Sequence, residues 1–252
     1  MKLKELTDYL DVFLNINNIS DVALNGLQVE GGEEVEKIAL AVDFCQEITK
    51  RAIENKCQMI ICHHGMCWPA IKSVVGFTKN RVKTLLDNNI SLYGVHLPLD
   101  KHTEVGNNAV LAKLLGADIC GEFGIYSGQK IGLLARLSEP IRLDDFKSLF
   151  DKVLDTDSFL IRSEKGKEAV QNLGIISGGG AKEITDAASL ELDIFVTGET
   201  SHSSFYTAKE GGTHLICGGH YKTETLGVKA LGKHLEEKFG LKTVFFDLPT
   251  GL

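Results

Sequence analysis

The sequence predicts an α/β protein of two lobes, and three observations carry that reading. Short apolar runs alternate with amphipathic stretches along the whole chain, most of the apolar runs end abruptly in glycine, histidine or glutamate, and no Pro-, Ser- or Gly-rich linker divides the 252 residues. Alternation of this kind marks at least partly parallel sheets covered by helices. In order, Leu3, Leu6, Leu10, Phe13 and Leu14 lie at helical spacing with Lys and Asp between them, an amphipathic helix that covers a sheet. KIALAVDF (37–44) reads as a buried strand, QEITKRAIENKC as the helix after it, and MIICHHG (59–65) as a second strand ending in polar residues. RVKTLLDNN suggests a helix, SLYGVHLPLD a third strand stopped by Pro98, and NNAVLAKLLGA a helix closed by Gly116, because proline removes a ladder donor and glycine takes the left-handed cap. From about Tyr126 a second set begins: KIGLLARL, SFLIRS and NLGIISGGGA as strands, RLDDFKSLFDKVL and KEITDAASLEL as helices, then DIFVTGE and THLICGGH as strand-to-loop transitions. ETLGVKALGKHLEEKFG is the final helix before a last strand, KTVFFDL. The expected division is a first lobe over 1–125, completed by 200–252, and a second over 126–199.

Composition narrows the function classes. With 43% hydrophobic residues, 24% charged residues and 4 prolines, the chain is globular in character. Its 27 Lys+Arg against 34 Asp+Glu give a net charge of −7, so the mean surface potential repels a phosphate backbone, although a local basic patch stays open. No apolar run reaches the roughly 18 to 20 residues that cross a bilayer, and MKLKELTDYLDVFLN carries acids where a signal peptide is unbroken apolar chain. A cytoplasmic protein without membrane partners is expected. The six cysteines form no CxxC pair, and reduced thiols are expected, with Cys45, Cys57, Cys62, Cys120 and Cys217 acting as small buried hydrophobes.

Four strand ends carry candidate chemistry: His63-His64-Gly65, His96 to Asp100, Gly198-Glu199 with His202, and Gly219-His220 with Glu224. Ligands in open α/β sheets bind beyond the carboxyl ends of strands, so such ends can converge. Isolated histidines such as His96 and His202 have an ordinary reading as satisfied polar residues or caps. The adjacent imidazoles of His63 and His64 are different, since at a strand-to-loop turn both rings can swing to the loop side and serve neighbouring metal ions. In HYKTE, His220 and Glu224 project from one helical face about 6 Å apart, and Gly218-Gly219 permits a tight approach. Asp100 follows Pro98, which excludes reading His96 and Asp100 as a helical i,i+4 pair. Three imidazoles and two carboxylates suit Zn, Fe, Mn, Ni or Co better than Ca. A bridging Glu224 would set two ions about 3.5 to 4 Å apart, able to hold a hydroxide. On spacing alone, the alternative of caps and surface polar groups stays open.

At this point CHHGMCW, TKNRVKTLL, LYGVHLPLDKHTEVGNNAVLAKLLG, ISGGGA, FVTGE and GGHYKTETLGVKAL resemble the family of GTP cyclohydrolase 1 type 2 homologues, also called Ngg-interacting-factor-like proteins. The resemblance runs from the N-terminal helix to FFDLP. It implies two similar, intertwined three-layer α/β/α lobes, a dinuclear metal site, and a homohexameric ring. It also implies metal ligation by His63, His64, Asp100, His220 and Glu224, with Glu224 bridging two divalent ions. The short stretch from Gly124 to Gln129 matches the minimal form without an inserted domain. The family name implies attack on C8 of the guanine ring of GTP with release of formate; damaged nucleotides and single-stranded DNA are further ligands proposed for the family.

Around this centre, His96, Glu199 and His202 are candidates for support or proton transfer, Glu199 favoured because VTGE ends a strand. SGGG before KEITDAASLEL reads either as an anion-holding turn or as a plain tight turn. Lys79, Arg81 and Lys83 read as a solvated helix face or as a triphosphate contact. Met66 and Trp68 either wall a pocket or pack. The reading favoured is a metal-dependent hydrolase of a purine nucleotide. The alternatives are a hexameric metal-binding ring that holds DNA or protein without turnover, and a metal store.

Overall fold

Two sheets with helices on both faces result from this alternation. The computed structural model describes residues 1–68 and 73–251, and the chain divides into two units, Met1–Leu99 with Gly227–Leu248, and Asp100–Leu226 with Pro249–Leu252. Along the chain run α1 (Leu3–Phe13), β1 (Gly26–Val29), β2 (Lys37–Asp43), α2 (Gln46–Glu54), β3 (Met59–His64), α3 (Gly76–Asp87), β4 (Ser91–Gly94) and α4 (Leu97–Lys101). They are followed by α5 (Asn107–Leu114), β5 (Ala117–Tyr126), β6 (Gln129–Arg142), α6 (Leu143–Leu154), β7 (Phe159–Ile161), β8 (Ala169–Ile176), α7 (Ile184–Ser189) and β9 (Ile194–Thr197). The last elements are α8 (Phe205–Glu210), β10 (His214–Cys217), α9 (His220–Phe239) and β11 (Lys242–Phe245).

In the first unit the strand order is β1-β4-β3-β2-β11, parallel except for β1 at the edge. The central strands are buried on both faces, which is why KIALAVD and MIICHH are nearly continuous apolar runs. One face packs Ala39, Ala41, Ile60 and Leu92 on Ile48 and Ala52 of α2 and Leu85 of α3. The opposite face meets α9, where a Cβ at Gly232 would overlap the Leu40 side chain, and α1, whose Asp11 accepts a 2.8 Å hydrogen bond from Tyr93 of β4. Each Leu or Ile buried in this way contributes about 1.5 to 3 kcal/mol.

In the second unit the order is β5-β6-β8-β9-β10-β7, with β8, β9 and β10 parallel and β5, β6 and β7 antiparallel to their neighbours. Phe146 and Phe150 of α6 and Leu111 of α5 cover one face together with Leu173, Ile175, Val196 and Ile216. On the other face, α7 and α8 lie over β9 and β10.

Several local expectations change. The third strand is only Ser91–Gly94, and Leu97–Lys101 is a short helix. Pro98 sits in its first turn, where a missing N–H costs nothing, and Asp21 caps that turn by accepting from Leu97 N at 2.9 Å. Asp100 is therefore helical after all. KEITDAASLEL forms a 3₁₀ turn and only a six-residue helix. ADICGEFGIY is an edge strand; its mixed polarity reflects a face exposed to solvent. It joins β6 through Ser127-Gly128, both at positive φ (49° and 80°), the backbone of a tight hairpin. Cys57, Cys62 and Cys217 are buried as expected, but Cys45 is half-buried and Cys120, on that edge strand, is exposed. No helix among the described residues is long and apolar enough to cross a membrane.

Asp193 ties β8 to the start of β9. Its carboxylate, 3% exposed, accepts from Lys167 Nζ at 2.7 Å and from the backbone N–H groups of Gln171 (3.0 Å) and Asn172 (2.8 Å). Burial alone would raise its pKa, but Lys167 and the two N–H donors outweigh burial and hold it low. Asp193→Ala is expected to cost about 2 to 4 kcal/mol at pH 7 by urea denaturation, because it orphans buried donors. A carboxylate with a depressed folded pKa stabilises above its unfolded value, so the gap between wild type and variant should narrow as pH falls below about 4.

Candidate metal centre

In the first unit β3 ends in His63 and His64, and His96 follows β4. Each ring is held by Nδ1. His63 Nδ1 donates to the Val95 carbonyl at 3.0 Å, His64 Nδ1 meets Asp43 Oδ1 at 2.8 Å, and His96 Nδ1 meets Asp21 Oδ1 at 2.9 Å. In a neutral ring such a bond puts the proton on Nδ1 and the lone pair on Nε2, the arrangement typical of metal-ligating imidazoles. One nitrogen from each of the three rings lies within 4.8 Å of the others. The parallel register pairs Asp43 with His64, so the sheet itself places the carboxylate beside the ring. Burial pulls Asp21 up, but the hydrogen bonds from His96, Asn25 and Ala23 bring it to about 2, and it stays anionic at working pH.

Two glycines shape the loop after His64. A Cβ at Gly65 or Gly94 would overlap the Gln28 amide, and that amide accepts from Met66 N at 2.7 Å. Trp68 donates from Nε1 to the Gly65 carbonyl at 3.0 Å and stands edge-on to His96, ring centroids 4.9 Å apart. It therefore packs on the histidine cluster.

In the second unit α9 opens with His220, and Glu224 follows one turn later. Glu224 Oε1 lies 3.2 Å from His220 Nε2, and Glu199 Oε2 lies 3.2 Å from His220 Nδ1. The Glu224 hydrogen bond, opposed by burial and aided by the charges of Glu224 and Glu199, raises His220 to about 9. A pair of carboxylates this close, one of them buried, favours positive charge, which a divalent ion would also supply. Asp100, buried on α4, accepts from Asn107 Nδ2 and Ser177 Oγ, both at 2.8 Å. The next residue, Gly178, has φ +63°, and a Cβ there would overlap Glu224 Oε1 and lie 3.2 Å from His220 Nε2. The Ser177–Gly180 turn thus orients Asp100 and leaves room for Glu224.

The SGGG turn is tied to its own chain. The Gly178 N–H donates to Thr223 Oγ1 at 3.0 Å and the Gly180 N–H to Thr197 Oγ1 at 3.1 Å, so the turn is a scaffold. On α3, Lys83 pairs with Asp87, and Arg81 lies over the rings of Phe44 and Phe77. Of the residues considered for proton transfer, His96 joins His63 and His64, and Glu199 joins His220. His202 opens an exposed 3₁₀ turn, and its side chain makes no hydrogen bond or ion pair among the described residues. Asp43, Asp21, Gln28 and Ser177 went unnoticed in the sequence, since their roles depend on register and loop approach.

A pair of α/β units with imidazole and carboxylate clusters at their strand ends defines a class of candidate metal-binding proteins. The chain matches Duf34/NIF3 (NGG1p interacting factor 3) over residues 1–250 and belongs to that family. A Pyrococcus abyssi protein named GTP cyclohydrolase 1 type 2 homolog is 43% identical over 100% of both chains. An Escherichia coli protein of the same name is 39% identical over 99% of each. Among solved structures, protein ybgI, described as of unknown function, superposes with TM-score 0.93 at 38% identity. TTHA1606 from Thermus thermophilus superposes with TM-score 0.90 at 39% identity, each match covering 100% of both chains.

Two substitutions test the scaffolding. Gly178→Ala should lower stability by about 1 to 3 kcal/mol, from the strained φ and the displaced Glu224, read as a fall in thermal midpoint. Asp43→Ala should leave the fold intact and weaken Zn²⁺ binding by about 10- to 100-fold in a chelator competition, since it frees the His64 ring.

Proposed function

We propose that this protein is a dinuclear metal-dependent hydrolase of a purine nucleotide, opening the imidazole ring of GTP with release of formate or acting on a damaged nucleotide. The observation that carries the reading is the set of imidazoles pinned through Nδ1, with lone pairs directed from Nε2, together with the Gly178 cradle that admits Glu224. The residues that would hold the ions are His63, His64, Asp100, His220 and Glu224, with Glu224 the one shared between them. When bound, two divalent ions of the Zn, Fe, Mn, Ni or Co kind supply Lewis acidity and acidify water to near neutral pH. The chain does the rest. Ser177 and Asn107 orient Asp100, and Asp43 orients His64. Proton transfer falls to Glu199, in contact with His220, or to His96, backed by Asp21; His202 is the remaining candidate. The names carried by the relatives from Pyrococcus abyssi and Escherichia coli support the nucleotide class. A homohexameric ring in the cytoplasm is the setting in which the reading places this chemistry.

The test is elemental analysis of the wild type and of a His220→Ala, Glu224→Ala double variant, both purified without chelator. About two transition-metal ions per chain, lost in the variant, are expected, together with formate release from GTP that Glu224→Ala abolishes. Absence of metal after reconstitution with Zn, Fe, Mn, Ni and Co would end the hydrolase reading. Metal binding without turnover of any nucleotide would turn attention to a ring that holds single-stranded DNA or protein.

A further inference from the structure

A cavity of about 460 Å³ lies within the second unit, walled by the residues that follow β9 and β10, by the start of β7 and by the first turn of α9. Its volume is that of a small-molecule site, and its place beyond the carboxyl ends of two parallel strands is where open α/β sheets bind ligands. The cavity shares Glu199 with His220, so it borders one of the candidate metal ligands.

Its lining has a distinct chemistry. Phe159, on the edge strand β7 and 54% exposed, presents an aromatic face that contributes little to the core. Lys222 is tied only loosely, at 3.5 Å, to the fully exposed Asp155. The Thr200 hydroxyl oxygen is shielded from solvent yet has no hydrogen-bond partner among the described residues, a deficit a bound group would satisfy. Burial pushes the Cys217 thiol up to about 12, so that wall is neutral. The ionisable side chains facing the cavity include Asp157 and Glu199 against Lys222. Two carboxylates to one ammonium among the lining side chains make a poor environment for a polyphosphate. It suits an uncharged ring with N–H donors for a carboxylate and a carbonyl acceptor for a lysine.

We infer that this cavity binds the heterocyclic base of the substrate, an oxopurine stacked on Phe159 with its donors toward Glu199 and Thr200 and its carbonyl toward Lys222, and leaves the phosphates outside. The inference rests on the hydrolase reading for the identity of the ligand, but the cavity can be tested apart from turnover.

The experiment is calorimetric titration of the full-length, metal-loaded protein with guanosine, which has no phosphate, and with cytidine. It is repeated for Phe159→Ala, Phe159→Tyr and Lys222→Met, with thermal midpoint and metal content measured for each. Guanosine should bind at least about tenfold more tightly than cytidine; Phe159→Ala should weaken it about tenfold or more, and Phe159→Tyr should keep it within about threefold, as base stacking requires. Lys222→Met should weaken guanosine as well as GTP. No guanosine binding, binding indifferent to Phe159→Ala, or a Lys222→Met effect confined to GTP would each overturn the inference. Guanosine binding that depends on Phe159, without formate release from any nucleotide, would sink the hydrolase reading alone. Formate release with KM unchanged in Phe159→Ala would sink the base site alone.

Discussion

Each histidine of the first unit's cluster is held from behind, and that constraint organises the strand ends around it. A free imidazole has two tautomers and a rotatable ring; a hydrogen bond from Nδ1 removes both freedoms and commits Nε2 to whatever lies in front. His63 uses a backbone carbonyl, His64 and His96 use carboxylates. The acceptors come from neighbouring segments: Val95 from the end of the adjacent strand, Asp43 from the parallel partner, Asp21 from the loop that also caps α4. Moving one strand by a residue would turn Asp43 to the opposite face, so the sheet register is itself part of the site.

The second unit meets a comparable demand with glycine. Glu224 is buried beside His220, and the turn that crosses it has no side chain where one would strike the carboxylate. Gly178 also takes a φ that other residues adopt only at a cost. The same turn delivers Ser177 to Asp100 and donates the Gly178 and Gly180 N–H groups to Thr223 and Thr197. The glycine turn is thereby engaged in positioning two carboxylates. His220, between Glu199 and Glu224, shows the field that results: its proton is held to about 9. Two carboxylates, Glu199 and Glu224, thus stand on either side of one imidazole.

The family relationship and the local chemistry meet at the same residues without being the same argument. Sequence similarity over 1–250 shows descent; hydrogen bonds at His63, His64 and Asp100 show what fixes the orientation of each side chain. The cavity beside Glu199 adds a different kind of surface: an exposed aromatic ring, a loosely held lysine and a hydroxyl without a partner among the described residues.

Much of the fold was legible along the chain. Apolar runs such as MIICHH and KIALAVD announced strands buried on both faces, and the periodicity of LKELTDYLDVF and LDDFKSLFDKVL announced helices, because burial on a strand or helical face repeats at a fixed interval. HH at a strand end and HxxxE at a helix start pointed to metal chemistry for the same local reason. The edge strand Ala117–Tyr126 escaped, since one solvated face dilutes its pattern, and the helix around Pro98 escaped because its cap, Asp21, lies some 76 residues away. The sequence by itself determined that His63-His64 and the His220/Glu224 pair were candidates for metal chemistry, and it marked most of the strands and helices. Only the tertiary structure decided that Asp43 would stand behind His64, that Gly178 would make way for Glu224, and that SGGG would bind its own chain, because these depend on strand register and loop approach between segments far apart in the chain.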